Sequence, residues 1–201
     1  MQDFSLIFEL VILIFSVVVH EVSHGYAATA LGDPTAKLSG RLTFNPLAHL
    51  DPFGSVLLPG MLYLIGAPMI GYAKPVPYNP YQLRAGKWGP ALVALAGPAS
   101  NFLLAMIFGL LLRFGVWSDV STVNFVATLV FINITLGIFN LVPIAPLDGS
   151  KLFFALLPYR YHWIEEWMER YSLVLVLFFI LFGWQLVDFL VPLLFRLIVG
   201  A

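Results

Sequence analysis

The amino-acid sequence predicts an all-α polytopic membrane protein: a bundle of about four to six transmembrane helices, with one re-entrant segment and a small β element at the membrane surface. Three observations lead there. Hydrophobic residues make up 60% of the 201 and charged residues 10%, where soluble domains carry about 25% charge. Mean hydropathy is +0.92. The apolar residues gather into runs long enough to cross a bilayer, which takes about 20 residues, and Gly and Pro punctuate them.

The first run starts near Phe4, passes through His20 and His24, and ends at Gly32-Asp33-Pro34. A helix of that length extends about 42 Å and spans. It has no basic start and no small-residue cleavage site, so it reads as a retained helix rather than a signal peptide. Lys37, Ser39, Arg41 and Thr43 alternate with Leu38, Leu42 and Phe44, which predicts a short strand or hairpin over residues 36 to 44. Asn45-Pro46 and Asp51-Pro52 punctuate a turn. Residues 53 to 72 are apolar but carry Pro59, Pro68 and four glycines, which favours a re-entrant excursion over a straight span. A Pro-rich polar loop follows to residue 87.

A second span is expected from about Trp88 to Phe114, with the small-residue patch Gly97-Pro98-Ala99-Ser100-Asn101 inside it. A third runs from about Val120 to Leu141 and ends at Val142-Pro143, since proline breaks the helical bonding. A short helix over residues 150 to 157 leads into an interfacial loop, residues 159 to 170, rich in Tyr, Trp, Arg and Glu. The tail from 171 to 199 is expected to hold one span and a short further piece, broken near Gly183 or Pro192. The whole chain, 1 to 201, reads as one domain with its core in residues 4 to 158 and C-terminal helices in 171 to 199.

Composition excludes several classes. The net charge of −1 and the lack of a dense basic cluster give no footprint for nucleic acid. With no cysteine, disulfides and thiolate metal sites are ruled out, and any metal must use His, Asp or Glu.

The chemistry-bearing stretch is His20-Glu21-Val22-Ser23-His24. Residues four apart share a helix face, so the two histidines can hold one metal ion with Glu21 beside them to handle a proton. Ionisable side chains in so apolar a segment are costly and mark function. For a third ligand, Glu165, Glu166 and Glu169 lie among Arg160 and Arg170 in a solvated stretch, and Asp119 and Asp188 are expected near the opposite face. His49, with Asn45 and Asp51, reads as part of a surface turn, although it is a rival ligand. Asp148 stands just past the broken end of the third span. It is either the cap of the helix that follows or a ligand. Gly97 and Asn101 read as packing residues, with lining of the cleft an alternative for Asn101.

HEVSHGYAA on the first helix, GPASN on the second and NLVPIAPLDG after the third, in that order, resemble the site-2 protease family of intramembrane zinc metalloproteases. GRLTFNPLAHLDPFGS and AKPVPYNP look like its short prokaryotic branch. The resemblance covers residues 4 to about 158. It implies one zinc ion per chain, held by His20, His24 and Asp148, with Glu21 as general base and Asn140 assisting at the scissile carbonyl. It also implies an edge for extended substrate near residues 36 to 44. The 201 residues are expected to lack the PDZ domain that many larger members carry.

The implied activity is endopeptidase cleavage within or next to the transmembrane segments of membrane-protein substrates, in regulated intramembrane proteolysis. A metal transporter using His20, His24 and Asp148 is the alternative, as is an inactive relative that binds membrane proteins; the transporter is disfavoured by polar residues concentrated at one depth and the inactive relative by the intact Glu21. For the histidines to meet Asp148, the first and third helices must end on one side. Lys37, Arg41, Lys74, Arg84, Lys87, Lys151, Arg160 and Arg170 then share that face, with Arg113 and Arg196 opposite. The positive-inside rule makes the shared face cytoplasmic. The chain is therefore expected as a multi-pass cell-membrane protein with its active site towards the cytoplasm.

Overall fold

The computed structural model describes residues 2–57, 61, 64 and 73–200. Four helices among them are long and apolar enough to cross a membrane: Ile7–Ala30, Gly86–Arg113, Val120–Asn140 and Ser172–Val199. In lipid the gain from burying apolar side chains against one another is small, so spans pack through small residues and buried polar contacts while large apolar side chains face outward. The outward faces here carry Ile7, Phe8, Phe15, Leu103, Phe131, Leu173, Leu181 and Phe189.

Helix α1 covers Gln2–Ala30. After it, Gly32 adopts φ +106, and the buried Asp33 side chain accepts hydrogen bonds from the backbone N–H and hydroxyl of Thr35. This turns the chain directly into one helical turn, α2, Thr35–Leu38. The strand expected over 36 to 44 is therefore corrected: no strand occurs among the described residues. In place of a partner strand, the Arg41 guanidinium binds carbonyls of two segments, Ala48 on one side and Lys74 (2.7 Å) and Pro75 (3.2 Å) on the other. Most of the 53–72 run, and with it the re-entrant expectation, lies outside the described residues; Pro52–Leu57 is a π-helical turn.

Helix α3, Gly89–Arg113, carries Pro98 in its interior. Helix α4, Val120–Asn140, is capped by Asp119, whose side chain accepts from Thr122 N–H. Helix α5, Asp148–Leu156, follows the proline-broken turn. The expected interfacial loop is instead mostly helical: α6, His162–Arg170, buries Met168 and leaves Trp163 and Trp167 exposed. Their four-residue spacing places both aromatics on one helical face.

The tail is one span, not a span and a fragment. Helix α7, Ser172–Phe178, passes through a π-helical turn, Phe179–Gly183, into α8, Trp184–Val199. The wider turn absorbs the irregularity at Gly183 without ending the helix. Pro192 lies within α8.

The larger core joins α3, α4 and α8 around Ala105, Val130, Ile134, Val187 and Val191. Arg113 at the end of α3 donates to the Leu197 carbonyl near the end of α8. At the other end of the bundle, Arg84 N–H donates to the Leu31 carbonyl and Asn79 N–H to Asp33 (2.6 Å). The end of α1, the start of α3 and the end of α4 thus share one level, and there the polar side chains of the motifs converge.

Candidate metal centre

On α1, His20 and His24 project side by side, with ring centroids 4.6 Å apart and planes at 90°. Both are buried. Asp148, the first residue of α5, brings its Oδ2 to 3.0 Å from His20 Nε2 and 3.3 Å from His24 Nε2. Of its two sequence readings, the capping one fails. No side chain caps α5, and the Ser150 hydroxyl donates to the Leu147 carbonyl. Gly149 makes this approach possible, because a Cβ there would run into the carbonyl oxygens of Leu141 and Val142.

Helix α3 supports the pair from behind. Val93, Gly97 and Asn101 are spaced by four and share one face. The Val93 carbonyl accepts from His24 Nδ1 at 2.7 Å, and Asn101 Oδ1 accepts from His20 Nδ1 at 2.6 Å. Between them lies Gly97, where a Cβ would stand 2.5 Å from His20 Nε2 and 2.5 Å from His24 Cε1. The sequence alone points to packing for Gly97 and to packing or cleft lining for Asn101. Their four-residue spacing from Val93 was visible, but the facing helix was not.

The other predicted residues divide. Glu21 Oε2 accepts from Val76 N–H at 2.9 Å. Val76 stands between Pro75 and Pro77, which have no N–H, so it is the one donor of that short extended piece. The Asn140 amide bonds back to Leu136 in its own helix, Nδ2 to carbonyl at 3.0 Å. His49 is excluded from the cluster: it is buried elsewhere, with Nε2 2.8 Å from the Thr43 carbonyl. Asn45 and Asp51 accept from the backbone of the turns that follow them, in keeping with the structural reading.

Comparison with known proteins can now be set beside this geometry. The family model described as Peptidase family M50 matches residues 115–183. "Putative zinc metalloprotease YwhC" of Bacillus subtilis is 38% identical over 154 residues, covering 73% of this chain and 67% of that protein. The chain belongs to peptidase family M50, the site-2 proteases. "Putative zinc metalloprotease Rip2" of Mycolicibacterium smegmatis is 34% identical over 139 residues, 68% of this chain and 52% of that protein. "Zinc metalloprotease MJ0392" of Methanocaldococcus jannaschii is 24% identical over 158 residues, 78% of this chain and 36% of that protein. The chain thus spans two thirds of YwhC and about half of Rip2. No solved structure matches it.

M50 enzymes are zinc metalloproteases, and the donor set fits that metal. With each Nδ1 directed at an oxygen of α3, each imidazole turns its Nε2 towards Asp148. Oδ2 is buried and has no hydrogen-bond donor. Three potential ligand atoms within 4.8 Å of one another are a site for a cation. Zinc bonds of about 2.0 Å would let ligands of one ion stand about 3.3 Å apart, and the two separations to Asp148 Oδ2 are 3.0 and 3.3 Å.

Proposed function

We propose that this M50 protein is an intramembrane endopeptidase that hydrolyses peptide bonds within or next to transmembrane segments of membrane-protein substrates. The observation that carries the reading is the His20–His24–Asp148 cluster, assembled inside a bundle of membrane-spanning helices. In this reading His20, His24 and Asp148 would hold one zinc ion. Bound zinc supplies a Lewis acid that acidifies water and polarises a carbonyl.

The chain's own residues do the rest. Glu21, on the same helix as the histidines, takes up the proton released from water and returns it to the leaving amine. Val76 N–H holds one Glu21 oxygen and leaves the other free for that transfer. Asn140, by turning its amide away from Leu136, donates to the developing oxyanion. A substrate helix hides its peptide bonds in its own hydrogen bonding and must unwind locally before attack. The excess of basic residues at the histidine end of the bundle supports a cytoplasm-facing site.

The test is cleavage of single-span substrates in proteoliposomes, with the cut mapped by mass spectrometry. Cuts inside or beside the hydrophobic segment are expected. In the same assay Asn140→Ala is expected to lower turnover by roughly 100-fold at unchanged zinc content. Cuts confined to soluble domains far from the membrane would contradict the reading.

A further inference from the structure

His20 can bind a metal through Nε2 only if its proton sits on Nδ1. What decides that is the direction in which the Asn101 amide points. An amide oxygen facing Nδ1 demands a proton there, and an amide NH2 would demand its absence. The determinants of that direction lie one residue further from the cluster.

Asn133 on α4 is fully buried. Its Nδ2 donates to the Leu129 carbonyl at 2.9 Å and to the Ser16 hydroxyl at 2.9 Å. A carbonyl can only accept, so the NH2 of Asn133 is committed to that side and its Oδ1 faces Asn101. Asn101 Nδ2 then donates to Asn133 Oδ1 at 2.9 Å and lies 3.4 Å from the Ser16 carbonyl. That leaves Asn101 Oδ1 for His20. Every link in this chain has one allowed polarity. His24 does not depend on it, because its partner is the Val93 carbonyl directly.

We propose that Asn133, held by Leu129 and Ser16, is a positioning residue that fixes the tautomer of His20 through Asn101. Asn133 itself hydrogen-bonds to Asn101, Ser16 and Leu129 and not to His20. With an apolar side chain at 133 the Asn101 amide loses its anchor and can turn its NH2 to His20, which moves the ring proton to Nε2 and removes a ligand. The proposal rests on His20 being a metal ligand, but its first readout does not require metal.

The full-length protein in micelles, labelled with ¹⁵N-histidine and free of metal, reports the tautomer of each ring by NMR. In wild type both His20 and His24 are expected to carry the proton on Nδ1. In Asn133→Leu, or the smaller Asn133→Ala if the first does not fold, His20 is expected to shift towards Nε2–H while His24 stays. Zinc affinity, measured by competition with a chromophoric chelator, is expected to fall at least about tenfold. Asn133→Asp keeps an acceptor facing Asn101 and is expected to retain both the tautomer and most of the affinity. An unchanged His20 signal in the apolar variants would overturn the proposal. So would equal shifts at His20 and His24, or an equal loss in Asn133→Asp, since each would mean general loosening. If wild type binds no zinc, the ligand reading fails, and the tautomer result still stands or falls by itself.

Discussion

At the scale of single residues, the cluster depends as much on what is missing as on what is present. Gly97 has no side chain where both imidazoles lie, and a Cβ would stand 2.5 Å from atoms of each ring. Neither ring can retreat, because Val93 and Asn101 hold their Nδ1 atoms from the same helix. Gly97→Ala is therefore expected to fold and insert yet lose zinc affinity by roughly 10- to 100-fold, read by metal analysis of purified protein. Wild-type zinc content in that variant would show that the helices move apart freely. The candidate ligands are visible in the sequence: HExxH spacing places His20 and His24 together, and Asp148 stands out as a carboxylate beyond a broken helix. Whether Asp148 capped or ligated was not visible, because both uses ask for the same residue at a helix start. In the structure Gly149 packs against the carbonyls of Leu141 and Val142, and Asp148 Oδ2 lies beside both histidines.

At the scale of elements, the polar segments beside the site are held by side chains rather than by β pairing. The alternation over 36 to 44 has the period of a strand, but Asp33 captures Thr35 first and starts a helical turn. Local side-chain bonding to backbone competes with regular structure wherever Asp and Thr stand this close. Asp33 also holds Asn79, so it ties the end of α1 to the segment that carries Val76 to Glu21. Burial pushes its acidity the other way, but the Thr35 hydroxyl and the Asn79 and Thr35 N–H groups outweigh it, and the carboxyl sits below its ordinary value of 3.8. With a folded value below the unfolded one, the unfolded chain binds the proton more readily. The stability Asp33 supplies is complete above pH 3.8 and is lost as pH falls through its lower folded value. Thermal unfolding in micelles from pH 7 downwards is expected to show an acid-side loss that is smaller in Asp33→Asn. Parallel curves for the two proteins would remove Asp33 from that role.

At the scale of the whole molecule, the four membrane-crossing helices were evident from hydrophobic runs alone, since a bilayer demands continuous apolar length. The joined tail was not: Gly183 and Pro192 signal breaks, and a π-helical turn that absorbs the irregularity leaves no mark in composition. Nor was the Ser16–Asn133–Asn101 chain visible, because it links three helices whose facing registers only packing decides. The bundle brings His20, His24 and Asp148 together among its apolar helices, and under the proposed function that is where a metal, a base and a peptide bond would meet. The most direct measurement is paired zinc analysis and substrate cleavage for wild type, Glu21→Gln and Asp148→Ala. About one zinc per chain is expected in wild type and Glu21→Gln, with cleavage in wild type only, and no zinc in Asp148→Ala. Cleavage by Glu21→Gln at the wild-type rate, or full zinc in Asp148→Ala, would contradict the account.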